Sequence, residues 1–248
     1  MDDWFLHVHE FLYTADEASA PQEAECVRRA LGLQEGARVL DAPCAMGRIG
    51  FHLAKAGCRV TGVDINEGFL ARARERFQEG NVAGSFCAMD LRRLSFPPVF
   101  DAAFNWWTSF GYFPDAENLQ ALCGMAAAVR PGGRVLIEQP NRQVVIRRLR
   151  PETAAGLWEL HSRWDAARQR LESTWILFPN GSRRIYPMSM RWYTLSQFRA
   201  LFRRAGLTFE AAYGDCDGSP YRRSSPRLIV VGRKAPTPER CRRAWAAG

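Results

Sequence analysis

The chain has 248 residues, 47% hydrophobic and 24% charged, the balance of a globular protein with one sizeable core. No run of about 18 apolar residues exists, which excludes a helical membrane span. The first residues, from Met1 to His7, lack a basic segment and a long apolar core, so no secretory leader is read and a cytoplasmic location is expected. A formal net charge of +8 would suit phosphate binding, but arginine greatly outnumbers lysine and no RNA-binding appendage is visible, so nucleic acid is the weaker reading.

The seven cysteines are scattered and odd in number, none forms a Cys-x-x-Cys pair, and the four histidines do not cluster with them. A reduced protein without a structural metal is the simplest expectation.

Residues 1–20 are aromatic and irregular (Trp4, Phe5, Phe11, Tyr13) and read either as a hydrophobic cover or as a lid with Tyr13 facing a pocket. Ser19, three before Gln22 and with Pro21 in the first turn, suggests a capping box. The helix it opens should run to Leu31 and stop at Gly32. From Gly36, short apolar runs alternate with helical patterns. Strands are expected at 37–41, 58–64, 84–89, 100–106 and 133–139, and helices near 47–56, 66–79 and 115–129. This rhythm implies an α/β fold, a parallel sheet covered by helices on both faces. Pro131-Gly132-Gly133 marks the turn into the fifth strand.

After Pro140 the pattern changes. Residues 157–193 alternate with period two, and Pro179-Asn180-Gly181 is a hairpin signal, so an antiparallel meander is expected. It leaves the sheet at the C-terminal strand edge, where ligands bind in such folds, which favours a substrate cap over an oligomer contact. Thr194 and Gln197 form a second capping box for a helix stopping at Gly206, and two strands, 207–213 and 227–233, close the domain. One domain is therefore expected, divided into an N-terminal lid and helix (1–33), a cofactor core (34–140), an insertion (141–193) and closing elements (194–235), as a monomer or homodimer.

Asp41 through Gly47 lies where the first strand gives way to a helix. A ligand loop there needs residues that let backbone approach closely at the positive end of the helix; Ala45 is small and Gly47 turns sharply. Asp64 ends the second strand, 17 positions after Gly47, where an acid accepts from both hydroxyls of a ribose; the competing role is a cap for the helix opening at Asn66. Dinucleotide oxidoreductases share such an acid but would want Gly-x-Gly-x-x-Gly after the first strand, which is missing.

In order and spacing, Val39-Leu40-Asp41-Ala42-Pro43-Cys44-Ala45-Met46-Gly47-Arg48, Val60-Thr61-Gly62-Val63-Asp64, Met89-Asp90-Leu91-Arg92, Phe100-Asp101-Ala102-Ala103-Phe104-Asn105 and Val129-Arg130-Pro131-Gly132-Gly133 resemble the motif series of class I S-adenosylmethionine-dependent methyltransferases. Downstream, Ser189-Met190-Arg191-Trp192-Tyr193-Thr194, the stretch from Tyr213-Gly214-Asp215 to Gly218-Ser219-Pro220-Tyr221, and Ser225-Pro226-Arg227-Leu228-Ile229-Val230-Val231 resemble a small-molecule branch of that family. The resemblance implies a Rossmann-like, seven-stranded, mostly parallel sheet with helices on both faces and the antiparallel insertion after the fifth strand. It also implies S-adenosylmethionine as cofactor and S-adenosylhomocysteine as product.

Residue by residue, the resemblance places Asp41, Ala42, Pro43, Cys44 and Gly47 around the methionine part, with Arg48 toward its carboxylate. Asp64 and Ile65 would hold and flank the ribose. Met89 and Leu91 would pack near the adenine while Asp90 accepts from its amine, and Asn105 and Trp106 would sit beside the sulfonium. Pro43 and Ala45 replace the first two glycines of the family's Asp-x-Gly-x-Gly-x-Gly. Proline removes one N–H and fixes φ, so altered loop geometry is expected with binding retained.

The acceptor should lie beyond the fourth strand. Trp107, Phe110 and Tyr112 are candidates to hold an aromatic ring or a cationic amine, against a plain packing role; Arg142, Arg191, Tyr193 and Tyr221 are candidates from the insertion and the closing loop. For a general base only weak candidates exist: His9, His161 and Glu138. The expected activity is methylation of N, O or an electron-rich carbon of a small molecule in specialised metabolism. The alternatives are a tRNA or rRNA methyltransferase and a protein that binds the cofactor without methyl transfer.

Overall fold

A computed structural model of the protein describes residues 17–155, 158–178 and 182–236. Tyr13, His9, the aromatic N-terminal stretch, the Pro179-Asn180-Gly181 hairpin signal and the basic tail lie outside the described residues.

The alternating core is β1 (Arg38–Asp41), α2 (Arg48–Lys55), β2 (Arg59–Asp64), α3 (Glu67–Glu79), β3 (Gly84–Ala88), β4 (Phe100–Asn105), α4 (Asp115–Ala128) and β5 (Val129–Pro140), preceded by α1 (Ala20–Leu31). Then come α5 (Arg142–Arg148), a meander of β6 (Glu152–Ala155), β7 (Trp158–Asp165), β8 (Arg170–Leu177) and β9 (Arg184–Arg191), and finally α6 (Leu195–Arg204), β10 (Leu207–Tyr213) and β11 (Arg227–Lys234). Seven strands form one sheet in the order β10-β11-β5-β4-β1-β2-β3, and the meander forms a second sheet, β6-β7-β8-β9. Parallel pairing joins β3 through β5, and β11 runs antiparallel to both β5 and β10. This is the expected mostly parallel, Rossmann-like architecture with an antiparallel insertion.

Neighbouring strand residues supply the two faces in turn. Leu40, Ala103, Val135, Ile137 and Val230 pack with Leu122, Met125, Phe198 and Phe202 of α4 and α6. Val39, Phe104, Leu136 and Ile229 pack on the opposite face with Val27, Leu31, Ile49, Leu53 and Phe77 of α1, α2 and α3. Successive side chains point to opposite sides of a strand, so a strand buried on both faces must be apolar throughout.

Three local readings change. Ser19 makes no side-chain cap and has helical φ −84° and ψ −14°, because a 3-10 turn over Glu17–Ser19 already winds the chain into α1. The Pro131-Gly132-Gly133 turn lies inside β5: pairing slips between Phe100↔Val129 and Ala102↔Arg134, and Gly132 takes φ +82°. α5 and β6 carried no sequence expectation; α5 starts where the Asn141 carboxamide accepts from the Gln143 N–H at 3.1 Å. The Thr194–Gln197 capping box forms as expected, with both reciprocal bonds present.

Candidate active site

The sheet order puts β1 between β4 and β2, so the chain leaves β1 toward one side and β4 toward the other, opening a crevice at their C-terminal tips. The loop after β1 is pinned across that crevice by backbone bonds: Ala42 N–H to Phe104 O at 3.0 Å, and Cys44 N–H to Val63 O at 2.8 Å. Ala45 and Gly47 take left-handed φ values of +45° and +71°, and the Ala42–Pro43 peptide is cis. Gly47 is also hemmed in, since a Cβ there would sit 3.2 Å from both Ala73 and Phe77.

Asp64, at the tip of β2, accepts from the Ala45 N–H at 3.0 Å with one oxygen and from the Asn66 N–H at 2.9 Å with the other. It thus braces the β1 loop, while capping of α3 falls to the Asn66 side chain, which accepts from Gly68 and Phe69. Burial pushes the Asp64 carboxyl up, against the pull of those N–H groups. Asp41 is deeper; burial first, then the nearby Asp64 charge, hold its carboxyl well above the usual range. Burial likewise raises the Cys44 thiol.

Asp41, Pro43, Ala45 and Arg48 face Trp106, Trp107 and Ser109 across a cleft of about 340 Å³, its open mouth included. Arg48 is not a free cation there: it is 3% exposed and pairs with Glu23 of α1 at 2.6 Å. Its expected role toward a carboxylate is therefore shared with an internal ion pair. Ile65, just past Asp64, is 58% exposed, unusual for so large an apolar side chain. Met89 and Leu91 are half-buried against the core. Asp90 caps the turn over Leu91–Arg93 and pairs with the Arg92 guanidinium at 2.6 Å, which holds its carboxyl below the usual range. An adenine amine there would compete with Arg92.

At the tip of β4, Asn105 is 1% exposed and donates to Ala42 O at 2.8 Å, but its Oδ1 has no partner among the described residues; the neighbouring Trp106 indole N–H, 3% exposed, has none among them either. Buried polar atoms are nearly always satisfied. One acceptor and one donor left open beside the cleft suit a polar ligand carrying both kinds of group, which the amino-acid end of S-adenosylmethionine does. The residues present fit that cofactor.

Beyond β4 the acceptor candidates separate. Trp107 lines the cleft. Phe110 is 3% exposed and stacks with Tyr193 at 5.6 Å and Phe198 at 5.8 Å, so its packing role prevails. Tyr112 packs in the cluster of Leu171, Met190 and Trp192, and burial pushes its phenol up. Tyr193 donates to Asp115 at 2.9 Å, and Arg191 binds Asp115 at 3.0 Å and the Gln169 carboxamide at 2.8 Å. Arg142 reaches the same Gln169 oxygen at 3.1 Å, and its guanidinium lies 5.4 Å from the Trp164 ring. These three tie the meander to α4 and α6. Tyr221 donates to Asn141, whose side chain in turn latches the carbonyls of Arg222, Arg223 and Ser225.

The base candidates also resolve. His161 sits on β7 between Glu152 (3.6 Å) and Glu159 (3.4 Å), lining a groove of the meander with Arg163 and Glu172. Glu138, a base candidate at the end of β5, is 1% exposed and fully engaged: one oxygen accepts from Arg227 at 2.9 Å, the other from the N–H groups of Trp107 and Thr108 at 2.9 and 3.3 Å. Burial raises its carboxyl while Arg227 opposes. It is a structural anchor here, not an open proton acceptor. Sequence reasoning missed Glu23, Ser109 and Arg227 as site residues; Arg227 lay in plain view in the Ser225-Pro226-Arg227 stretch, but nothing local to it reveals two partners so far away in the chain. Among the described residues no group of three or more His, Cys, Asp or Glu is arranged to hold a metal ion, and no helix is long and apolar enough to cross a membrane.

Residues 39–133 match a family model described as a methyltransferase domain. The chain is 36% identical over 118 residues to an S-adenosyl-L-methionine-dependent Diels-Alderase of Talaromyces variabilis, covering 46% of this chain but only 39% of that one. It is 26% identical over 206 residues to the cypemycin N-terminal methyltransferase of a Streptomyces species, covering 79% of this chain and 83% of that one. The methyltransferase CcbJ from Streptomyces caelestis superposes with a TM-score of 0.75 at 21% identity, over 88% of this chain and 90% of its own. Residues 39–133 thus form a methyltransferase domain, and the strand order, the strand-tip acid and the loop geometry agree with the class I S-adenosylmethionine-dependent methyltransferase fold.

Proposed function

We propose that this protein transfers the methyl group of S-adenosylmethionine to N, O or an electron-rich carbon of a small molecule, in specialised metabolism. The observation that carries the reading is the pair of open buried atoms, Asn105 Oδ1 and Trp106 Nε1, beside a cleft whose other wall is the β1 loop braced by Asp64. In this reading Asp41 faces the amino group of the cofactor, Asp64 and Ile65 hold and flank its ribose, Met89 and Leu91 lie beside its adenine, and Trp107 meets the acceptor. The small molecule is favoured because proteins of similar fold include the amino pentose methyltransferase CalS10 and the sugar N-methyltransferase KedS8.

The cofactor, when bound, supplies an electrophilic methyl group on a cationic sulfur. What the chain contributes is alignment and exclusion of water, which together supply roughly 7–11 kcal/mol in well-oriented reactions. Glu138 is held by Arg227, and His161 lines a groove of the meander rather than the cleft, so neither described candidate is placed to take a proton from the acceptor. An amine arriving with a free electron pair needs none.

A tritiated methyl donor offered with panels of small amines and phenols, and separately with tRNA, tests this reading. Label should enter small molecules, with turnover little changed between low and moderate salt; labelling confined to tRNA and falling steeply with salt overturns it. A second reading is favoured by the relative named as a Diels-Alderase and by Pro43 and Ala45 in the loop: cofactor-dependent catalysis with the methyl group retained. Intact donor recovered after acceptor turnover identifies it.

The raised carboxyl of Asp41 gives a pH signature. Below its raised pKa Asp41 is neutral and offers the ligand's ammonium no charge; above it, the carboxylate attracts that ammonium. Affinity for S-adenosylhomocysteine should therefore rise with pH through that pKa, by up to about tenfold per unit, and the Asp41→Asn variant should show a weaker and flatter profile. Calorimetric titrations between about pH 5 and 8 read both; parallel profiles remove Asp41 from the site.

A further inference from the structure

Behind the cleft four charges of alternating sign run in a line. Arg48 pairs with Glu23 at 2.6 Å, Glu23 with Arg227 at 3.0 Å, and Arg227 with Glu138 at 2.9 Å; at its exposed side Arg227 also lies 3.6 Å from Asp215. Arg48, Glu23 and Glu138 are each no more than 3% exposed, and Arg227 is half-buried with its guanidinium 5.8 Å from the Trp106 ring. The line begins at the first residue of α2, directly after the β1 loop, and ends under the loop after β4. Those two loops are the opposing walls of the cleft.

At the far end the backbone is strained. Trp107 and Thr108 are consecutive non-glycine residues at φ +59° and +64°, and for a β-branched threonine this is a true outlier. Such a conformation persists only where its surroundings over-determine it, and it collects at functional sites. Here the over-determining group is visible: the Glu138 carboxylate accepts both successive N–H groups with one oxygen, and Arg227 fixes the other. Bonds from N–H to an ionised acceptor are the strong kind. The turn so held is the one that sends Trp107 and Ser109 to the cleft.

We propose that Glu138 is a positioning residue for the cofactor cleft: clamped by Arg227, its carboxylate holds the Trp107–Ser109 wall in place, and the Arg48–Glu23 pair ties that wall to the β1 loop opposite. The role rests on the cofactor reading of the cleft, not on the identity of the acceptor.

Calorimetry with S-adenosylhomocysteine, thermal unfolding and amide hydrogen exchange on two variants test it. Glu138→Gln leaves Arg227 short of one charge, so both the Tm and the affinity should fall, the latter at least tenfold, and the Trp107 and Thr108 amides should exchange faster. Glu138→Gln combined with Arg227→Gln removes one charge of each sign and leaves Arg48–Glu23 as a balanced buried pair, with the exposed Asp215 left to solvent. Its Tm should return toward wild type while affinity stays at least tenfold down and the two amides remain fast, because a neutral amide oxygen holds the two N–H groups more weakly than a carboxylate does. Affinity recovering together with Tm in the double variant, or wild-type affinity in Glu138→Gln, overturns the role and leaves Glu138 a purely structural ion. If Glu138→Gln does not fold, the charge-balanced double variant is read alone against the same two outcomes. Absence of binding to the wild-type protein is a separate result: it strikes the cofactor reading itself, and the positioning role falls with it.

Discussion

Replacing Asp64 by alanine should weaken S-adenosylhomocysteine binding about 100-fold, roughly 2.8 kcal/mol, when titrated calorimetrically beside the wild-type protein. Two losses combine. The β1 loop loses the acceptor of its Ala45 N–H, and the start of α3 loses that of the Asn66 N–H; each leaves a half-buried donor without its partner. The ligand loses the strand-tip acid proposed for its ribose. Asp64→Asn separates these contributions, because an amide can still accept from one N–H but presents a second N–H to the other. Its affinity should fall between wild type and alanine. Equal affinity in wild type and Asp64→Ala would remove the acid from the site.

The second large effect is on stability. Gly111 holds φ +120°, and a Cβ added there would run into the Arg191 carbonyl oxygen of β9, whose own N–H donates to Gly111 O at 2.8 Å. Two backbones cross at this point, so no rotamer change relieves the clash. Gly111→Ala should cost about 3 kcal/mol or more, from the forbidden φ and the displaced strand together. For a domain of this size that lowers Tm by roughly 6–12 °C. A change within a degree or two in a calorimetric scan would show that the loop and β9 do not press on one another. Because this crossing also docks the meander beside the loop carrying Trp107, a folded Gly111→Ala variant should lose acceptor turnover more than cofactor affinity.

The physical origin of what was legible differs from element to element. β1, β2 and β4 announce themselves because a strand covered on both faces must be apolar throughout, and Val39, Leu40, Val63 and Phe104 leave no other reading. The Thr194 cap is equally local: its two reciprocal bonds span three residues, so the tetrad is visible in the sequence. Ser19 offers the same tetrad and fails, because a preceding turn has already set its backbone in the helical region. Asp41 and Asp64 are legible as the last residues of β1 and β2 because strand-tip spacing is a chain distance. Phe110, Arg191 and Tyr193 show the converse: aromatic and basic residues near a mouth look alike whether they face ligand or core, and only the fold brings the Phe198 ring and the Asp115 carboxylate to them as internal partners.

What the sequence determined by itself, then, is everything carried by periodicity and short spacing: the alternating α/β order, the insertion after the fifth strand, and the acids at the strand tips. The tertiary structure alone decided the charge partners. Arg48 meets Glu23, Arg227 reaches back to Glu23 and across to Glu138, and Glu138 seizes the N–H groups of Trp107 and Thr108. Those contacts join α1, α2, β5, β11 and the loop after β4, segments far apart in the chain and brought together only by the sheet order β11-β5-β4-β1. An ion pair depends on distance in space, and no pattern along a single chain encodes it until the strands are in place.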